Sequence, residues 1–142
     1  MSGESSFVMD SSSVLALLLP DEKYGADAMA LRKLIDARTV LLAPAHLWME
    51  VANGLLMAER RRRISQMEVS EFLDIALSMN VEIDSESETS TVRETVGLGR
   101  RHGLTVYDAA YLELSMRRGT KLATLDADLR KAATASGIQV LP

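Results

Sequence analysis

Residues 105–141 read TVYDAAYLELSMRRGTKLATLDADLRKAATASGIQVL, and this stretch decides the fold. Residues 107–118 carry apolar side chains at helical spacing, and Gly119 stops them. KLATL (121–125) is a short apolar run suited to a strand. DADLRKAATAS (126–136) returns to a helical pattern with acids at its start, and Gly137 ends it. IQVL (138–141) is again extended. Helix, strand, helix and strand joined by very short links describe an α/β unit, because parallel neighbours need a helical crossover between them.

The same alternation extends back to the amino terminus. FVM (7–9) is a strand that ends at Asp10, and a short helix follows over residues 12–19. Asp21 is placed to cap a second helix through Ala37, with Ala28, Leu31, Leu34 and Ile35 on one face. TVLLA (39–43) is a strand. Pro44 opens a long helix in which Leu47, Val51, Leu55 and Ala58 share a face. Ser65 and Glu68 form a capping box for a helix with Val69, Phe72, Leu73, Ala76 and Leu77 inward. VEI (81–83) is a strand, and a helix from Ser90 to Arg101 closes at Gly103. A short extended link, LTV, leads to the helix that Asp108 begins. The expected architecture is a three-layer α/β/α sandwich with a mainly parallel central sheet. Residues 7–142 form one domain behind a polar leader, residues 1–6.

Composition narrows the classes. The chain has 142 residues and no cysteine. That excludes disulfides and thiolate metal sites, as suits a reducing compartment. No apolar run approaches the ~18 residues that span a bilayer, and the start lacks the features of a signal peptide. The protein is therefore expected to be cytoplasmic, with no membrane partner. Twenty acidic residues against sixteen basic ones give a net charge of −4. The basic residues are nevertheless clustered, at 60–63, 100–101, 117–118 and 130–131. With four acids committed to a cation the rest of the chain is neutral, which leaves room for a local basic rim.

Four acids fall where a parallel sheet gathers its functional groups, beyond the carboxyl ends of the strands. Asp10 follows the first strand and Asp126 follows KLATL. Glu50 lies in the helix after TVLLA, and Asp108 begins a late helix. Each alone is equally an ordinary feature. Aspartate caps helices by accepting backbone N–H bonds, and Glu50 alone reads as a solvated helix residue. Converging, the four would repel one another and raise each other's pKa values. A divalent cation is the simplest counter-charge, and an oxygen-only ligand set suits Mg²⁺ or Mn²⁺.

Three segments carry a resemblance. FVMDSSSVLALLLPDE, LLAPAHLWMEVANGLL and LTVYDAAYLELSMRRGTKLATLDADLRKAA resemble, in order, the four motifs of PIN domains, and within that family the VapC-type toxins. The resemblance covers residues 7–142. It implies that Asp10, Glu50, Asp108 and Asp126 form an acidic Mg²⁺ or Mn²⁺ site. Ser12 and Thr124 would support it by hydrogen bonds, and Asn53 would stand beside it. Asp128 is either an accessory acid or, as favoured here, the N-cap of the last helix. The implied activity is endonucleolytic RNA cleavage that leaves a 5′-phosphate and a 3′-hydroxyl. The implied partners are a cognate antitoxin, an RNA substrate and a second copy in a homodimer.

The competing class is a non-catalytic PIN-fold module that acts by protein or RNA recognition. A phosphoacceptor receiver domain fits less well, because VMDSSS supplies one acid and Lys121 begins its strand instead of ending it. Arg60, Arg61, Arg62 and Arg63 are candidates for RNA phosphate contact, and equally a solvated helix end. His46 and His102 lie outside the motifs and read as surface or capping residues. Tyr107 and Tyr111 read as core or rim. Trp48, Met49 and Met57 read as packing or partner surface.

Overall fold

The computed structural model describes residues 5–20, 22–87 and 89–142. Five strands, β1 (Ser5–Met9), β2 (Thr39–Ala43), β3 (Val81–Ile83), β4 (Leu122–Ala123) and β5 (Val140–Leu141), form one sheet in the order β3-β2-β1-β4-β5. Every pairing is parallel. The helices among the described residues are α1 (Ser11–Leu18), α2 (Gly25–Leu34), α3 (Leu47–Arg60), α4 (Gln66–Leu77), α5 (Val92–His102), α6 (Val106–Arg118) and α7 (Ala127–Ala135). The three-layer α/β/α architecture expected from the alternation is the one observed.

The layers follow from connection handedness. Right-handed crossovers from β1 to β2 to β3 put α1–α4 on one face, and the return through β4 to β5 puts α5–α7 on the other. Contacts agree: α1 packs on α2, α3 and α4, whereas α6 packs on α5 and α7. Strand β1, covered on both faces, is an unbroken apolar run at Phe7, Val8 and Met9, all buried. Gly54 of α3 lets α1 approach closely, since a Cβ there would collide with the Leu15 side chain.

Several boundaries match their local signals. β2 and β3 span the expected residues, and α4 opens with both hydrogen bonds of the Ser65–Glu68 capping box. Gly103 and Gly119 close α5 and α6 with left-handed backbone, φ 67° and 61°.

Other expectations need correction. β1 begins at Ser5, because Ser5 and Ser6 register against Thr39 and Val40 and so belong to the sheet instead of a leader. α2 spans only Gly25–Leu34, behind a 3₁₀ turn over Glu22–Tyr24. The cap expected of Asp21 lies outside the described residues. Leu34 and Leu77 are exposed, since each falls in the last turn of its helix. LTV is no extended link: Thr105 caps α6 and Val106 is already helical. Among the described residues no helix is long and apolar enough to cross a membrane.

Candidate active site

The strand order reverses between β1 and β4, which opens a crevice at their carboxyl ends. Asp10 leaves β1 there and caps α1. It is 3% exposed, so its carboxylate needs internal partners. The Ser12 hydroxyl donates to Oδ1 at 2.7 Å and the Ser13 N–H donates to the same oxygen at 3.1 Å. The Thr124 hydroxyl donates to Oδ2 at 2.5 Å. The two hydroxyls in turn accept from the loop after β4: Leu125 N–H donates to Ser12 Oγ at 2.9 Å and Asp126 N–H to Thr124 Oγ1 at 3.0 Å. Ser12 and Thr124 thus stitch the two loops of the crevice together through Asp10. Burial pushes the Asp10 pKa up to about 6, against the pull of these hydrogen bonds, and the Asp108 charge adds to the rise.

Asp126 caps α7. Its Oδ1 accepts from the N–H groups of Asp128 at 2.9 Å and Leu129 at 3.2 Å. Asp128 is therefore not the N-cap, contrary to expectation. It is an exposed first-turn residue whose N–H is consumed by the true cap.

Asp108 lies in the first turn of α6, with its N–H donating to the capping Thr105 hydroxyl at 3.1 Å. Its pKa is raised, first by burial, then by the charges of Asp126 and Glu50, while the Thr105 bond and His46 oppose the rise. Glu50 lies in the first turn of α3, half-buried, and accepts the Tyr111 hydroxyl at 2.6 Å. Asp10, Glu50 and Asp126 all act electrostatically on Asp108 or feel its charge, so acids remote in sequence share one crevice.

Asn53 lies one turn beyond Glu50 on α3, exposed and without a hydrogen bond to the acids. Arg60, Arg61, Arg62 and Arg63 are also exposed, at the far end of α3. Ten residues of helix separate Glu50 from Arg60, roughly 15 Å. A second basic pair, Arg101 and Lys131, lines a pocket of about 270 Å³ along α7 together with His102 and Asp128.

Tyr111 is core as expected, but its contact with Glu50 and that of His46 escaped the sequence reading. His46 Nε2 lies 3.7 Å from Glu50 Oε1 and 3.0 Å from the Tyr107 carbonyl oxygen. Its ring meets those of Tyr107 and Tyr111 edge-on, at 5.5 and 5.2 Å. The helical spacings of His46 to Glu50 and of Asp108 to Tyr111 were the available signals.

The donor chemistry suits Mg²⁺ or Mn²⁺: hard carboxylate oxygens, mutual repulsion and, among the described residues, no lysine or arginine bonded to them. Among the described residues no three acidic or histidine side chains form a ready-made cage. Mg²⁺ tolerates that arrangement, because it commonly keeps several waters and takes only one or two carboxylates directly.

Known proteins share this sequence pattern and fold. Residues 7–135 match the family model of the PIN domain. The chain is 33% identical over 122 residues to Ribonuclease VapC3 of Pyrobaculum aerophilum, covering 86% of this chain and 90% of that protein. The fold is similar to the crystal structure of PAE2754 from Pyrobaculum aerophilum, with TM-score 0.66, 24% identity and coverage of 95% of this chain and 83% of that one. It is also similar to Mycobacterium tuberculosis VapC20, described as a Sarcin-Ricin loop cleaving toxin. There the TM-score is 0.68 with 19% identity, over 97% of this chain and all of that one.

Proposed function

This chain belongs to the PIN domain family, and on that premise we propose that it is a metal-dependent endoribonuclease, the toxin of a type II toxin–antitoxin pair. The observation that carries the reading is the electrostatic convergence of Asp10, Glu50 and Asp126 on Asp108 at the sheet's switch point. The extended match to a VapC ribonuclease supports RNA as the substrate.

Asp10, Glu50, Asp108 and Asp126 would hold Mg²⁺ or Mn²⁺. When bound, such an ion polarises a phosphodiester and makes water a nucleophile near neutral pH. The chain's own part is to fix the acids before substrate arrives. Asp10 is immobilised by three donors and, with a pKa of about 6, is ionised at neutral pH. Asp126 commits Oδ1 to the α7 cap, which orients Oδ2 as the free oxygen. Ser12 and Thr124 keep the β1 and β4 loops at a set separation, so the acids they carry cannot drift apart under repulsion.

The antitoxin and a second copy of the chain are the proposed protein partners. Met49, 73% exposed on α3, and Met67 and Ile75 on α4 leave apolar surface open to solvent, which suits such an interface.

The test is cleavage of total RNA by purified protein with and without Mg²⁺. Asp10→Asn and Asp108→Asn are expected to abolish metal-dependent cleavage and cellular toxicity with the fold intact by circular dichroism. Undiminished cleavage by either variant overturns the assignment.

A further inference from the structure

Tyr111 is fully buried in α6, one turn beyond Asp108. A phenylalanine would fill the same volume and would bring no polar atom into the core. The hydroxyl instead reaches across to α3 and donates to Glu50 Oε1 at 2.6 Å. His46 stands at the same oxygen but is engaged elsewhere. Its Nε2 lies 3.0 Å from the Tyr107 carbonyl oxygen, which can only accept, so the Nε2 hydrogen points there. Among the described residues Tyr111 is therefore the group that donates a hydrogen bond to Glu50 within hydrogen-bond distance.

Glutamate has three rotatable side-chain bonds, and a half-exposed one beside three other acids has reason to swing into solvent. A short bond from a rigid, buried hydroxyl to a carboxylate opposes that. Among the described residues Oε2 carries no hydrogen bond, which makes it the more available oxygen for a cation. The bond also couples the two helices that carry Glu50 and Asp108, so one tyrosine sets the relation between two acids.

We infer that Tyr111 is a positioning residue of the acidic site, holding Glu50 so that a single oxygen, Oε2, is presented to a divalent cation. The inference rests on the metal-dependent reading proposed above. It concerns the carboxylate's geometry and requires no contact between Tyr111 and the ion. Partners that orient a metal ligand in this way typically affect affinity by 10–100-fold when removed.

The experiment is titration of the full chain with Mn²⁺, followed by electron paramagnetic resonance of the free ion, with no RNA present. It compares wild type, Tyr111→Phe, Glu50→Gln, the double variant and Asp10→Asn, each checked for a single cooperative melting transition. Tyr111→Phe is expected to weaken Mn²⁺ binding about tenfold. The same change in the Glu50→Gln background is expected to do nothing further, because the carboxylate that Tyr111 orients toward the ion is gone. Binding by Tyr111→Phe within twofold of wild type overturns the inference, and so does an undiminished tyrosine effect without Glu50. If wild type binds no Mn²⁺, or Asp10→Asn binds it equally well, the metal-dependent reading fails as well. The Asp10 control thus separates the two failures.

Discussion

Asp10→Asn should make the metal-free protein more stable at neutral pH while it removes activity. Asp10 is 3% exposed, and burial lifts its pKa from the ordinary 3.8 to about 6. The folded chain therefore holds this proton more tightly than the unfolded chain does. That contribution to stability is fully present below pH 3.8 and is lost as pH rises through 6. A separation of roughly two pKa units corresponds to about 3 kcal/mol, and about 2 kcal/mol of it accrues between about pH 4.5 and about pH 7.5. Asparagine keeps the shape of the side chain and does not titrate. Its amide can still accept from Ser12 and Ser13, and the Thr124 hydroxyl can turn to accept from it. Any loss in that exchange is independent of pH, so the pH dependence of the difference isolates the carboxylate. The assay is urea denaturation of both proteins in EDTA across this range. The variant should gain on wild type by about 2 kcal/mol as pH rises. Parallel curves, or a wild type that gains instead, would refute the account of Asp10 as a desolvated acid held in place for a cation. Saturating Mg²⁺ should then reverse the order, because an ion that binds only the folded wild type stabilises it by mass action.

Arg117 spans Asp84, Glu86 and Glu113, at 2.5, 3.0 and 2.9 Å, and two of these acids, Asp84 and Glu113, are buried. Arg117→Met leaves both buried carboxylates without that partner and should destabilise the fold by about 3–5 kcal/mol in urea. A loss below about 1 kcal/mol would reduce the cluster to an ordinary surface pair. Replacing Arg101 and Lys131 together by alanine should lower the slope of log affinity for single-stranded RNA against log salt by about 1.4, at about 0.7 per phosphate contact. Replacing Arg60 and Arg61 should change that slope less, since they sit at the far end of α3. The reverse ranking would put the RNA track along α3.

Much of the fold was legible because its signals are local. A capping box at Ser65 and Glu68, glycines at 103 and 119, and short β-rich runs at 39–43 and 81–83 act within one turn or one strand. Asp10 and Asp126 could be picked out because each directly follows a strand, and strand ends are where a parallel sheet opens. The errors arose where local rules tie. Asp126 and Asp128 both fit the start of α7, and only the hydrogen bonds to the N–H groups of Asp128 and Leu129 choose between them.

The amino-acid order was thus enough to specify the class of fold, several helix ends and the acids that follow the strands, since those depend on periodicity, capping and charge carried by short segments. Strand order, the crevice between β1 and β4, the buried bond from Tyr111 to Glu50 and the approach of His46 emerged only in three dimensions. Each depends on which distant segments pack together. That choice belongs to the whole core, because a side chain's partner across a helix interface is set by long-range burial and leaves no mark at the spacing of one turn or one strand.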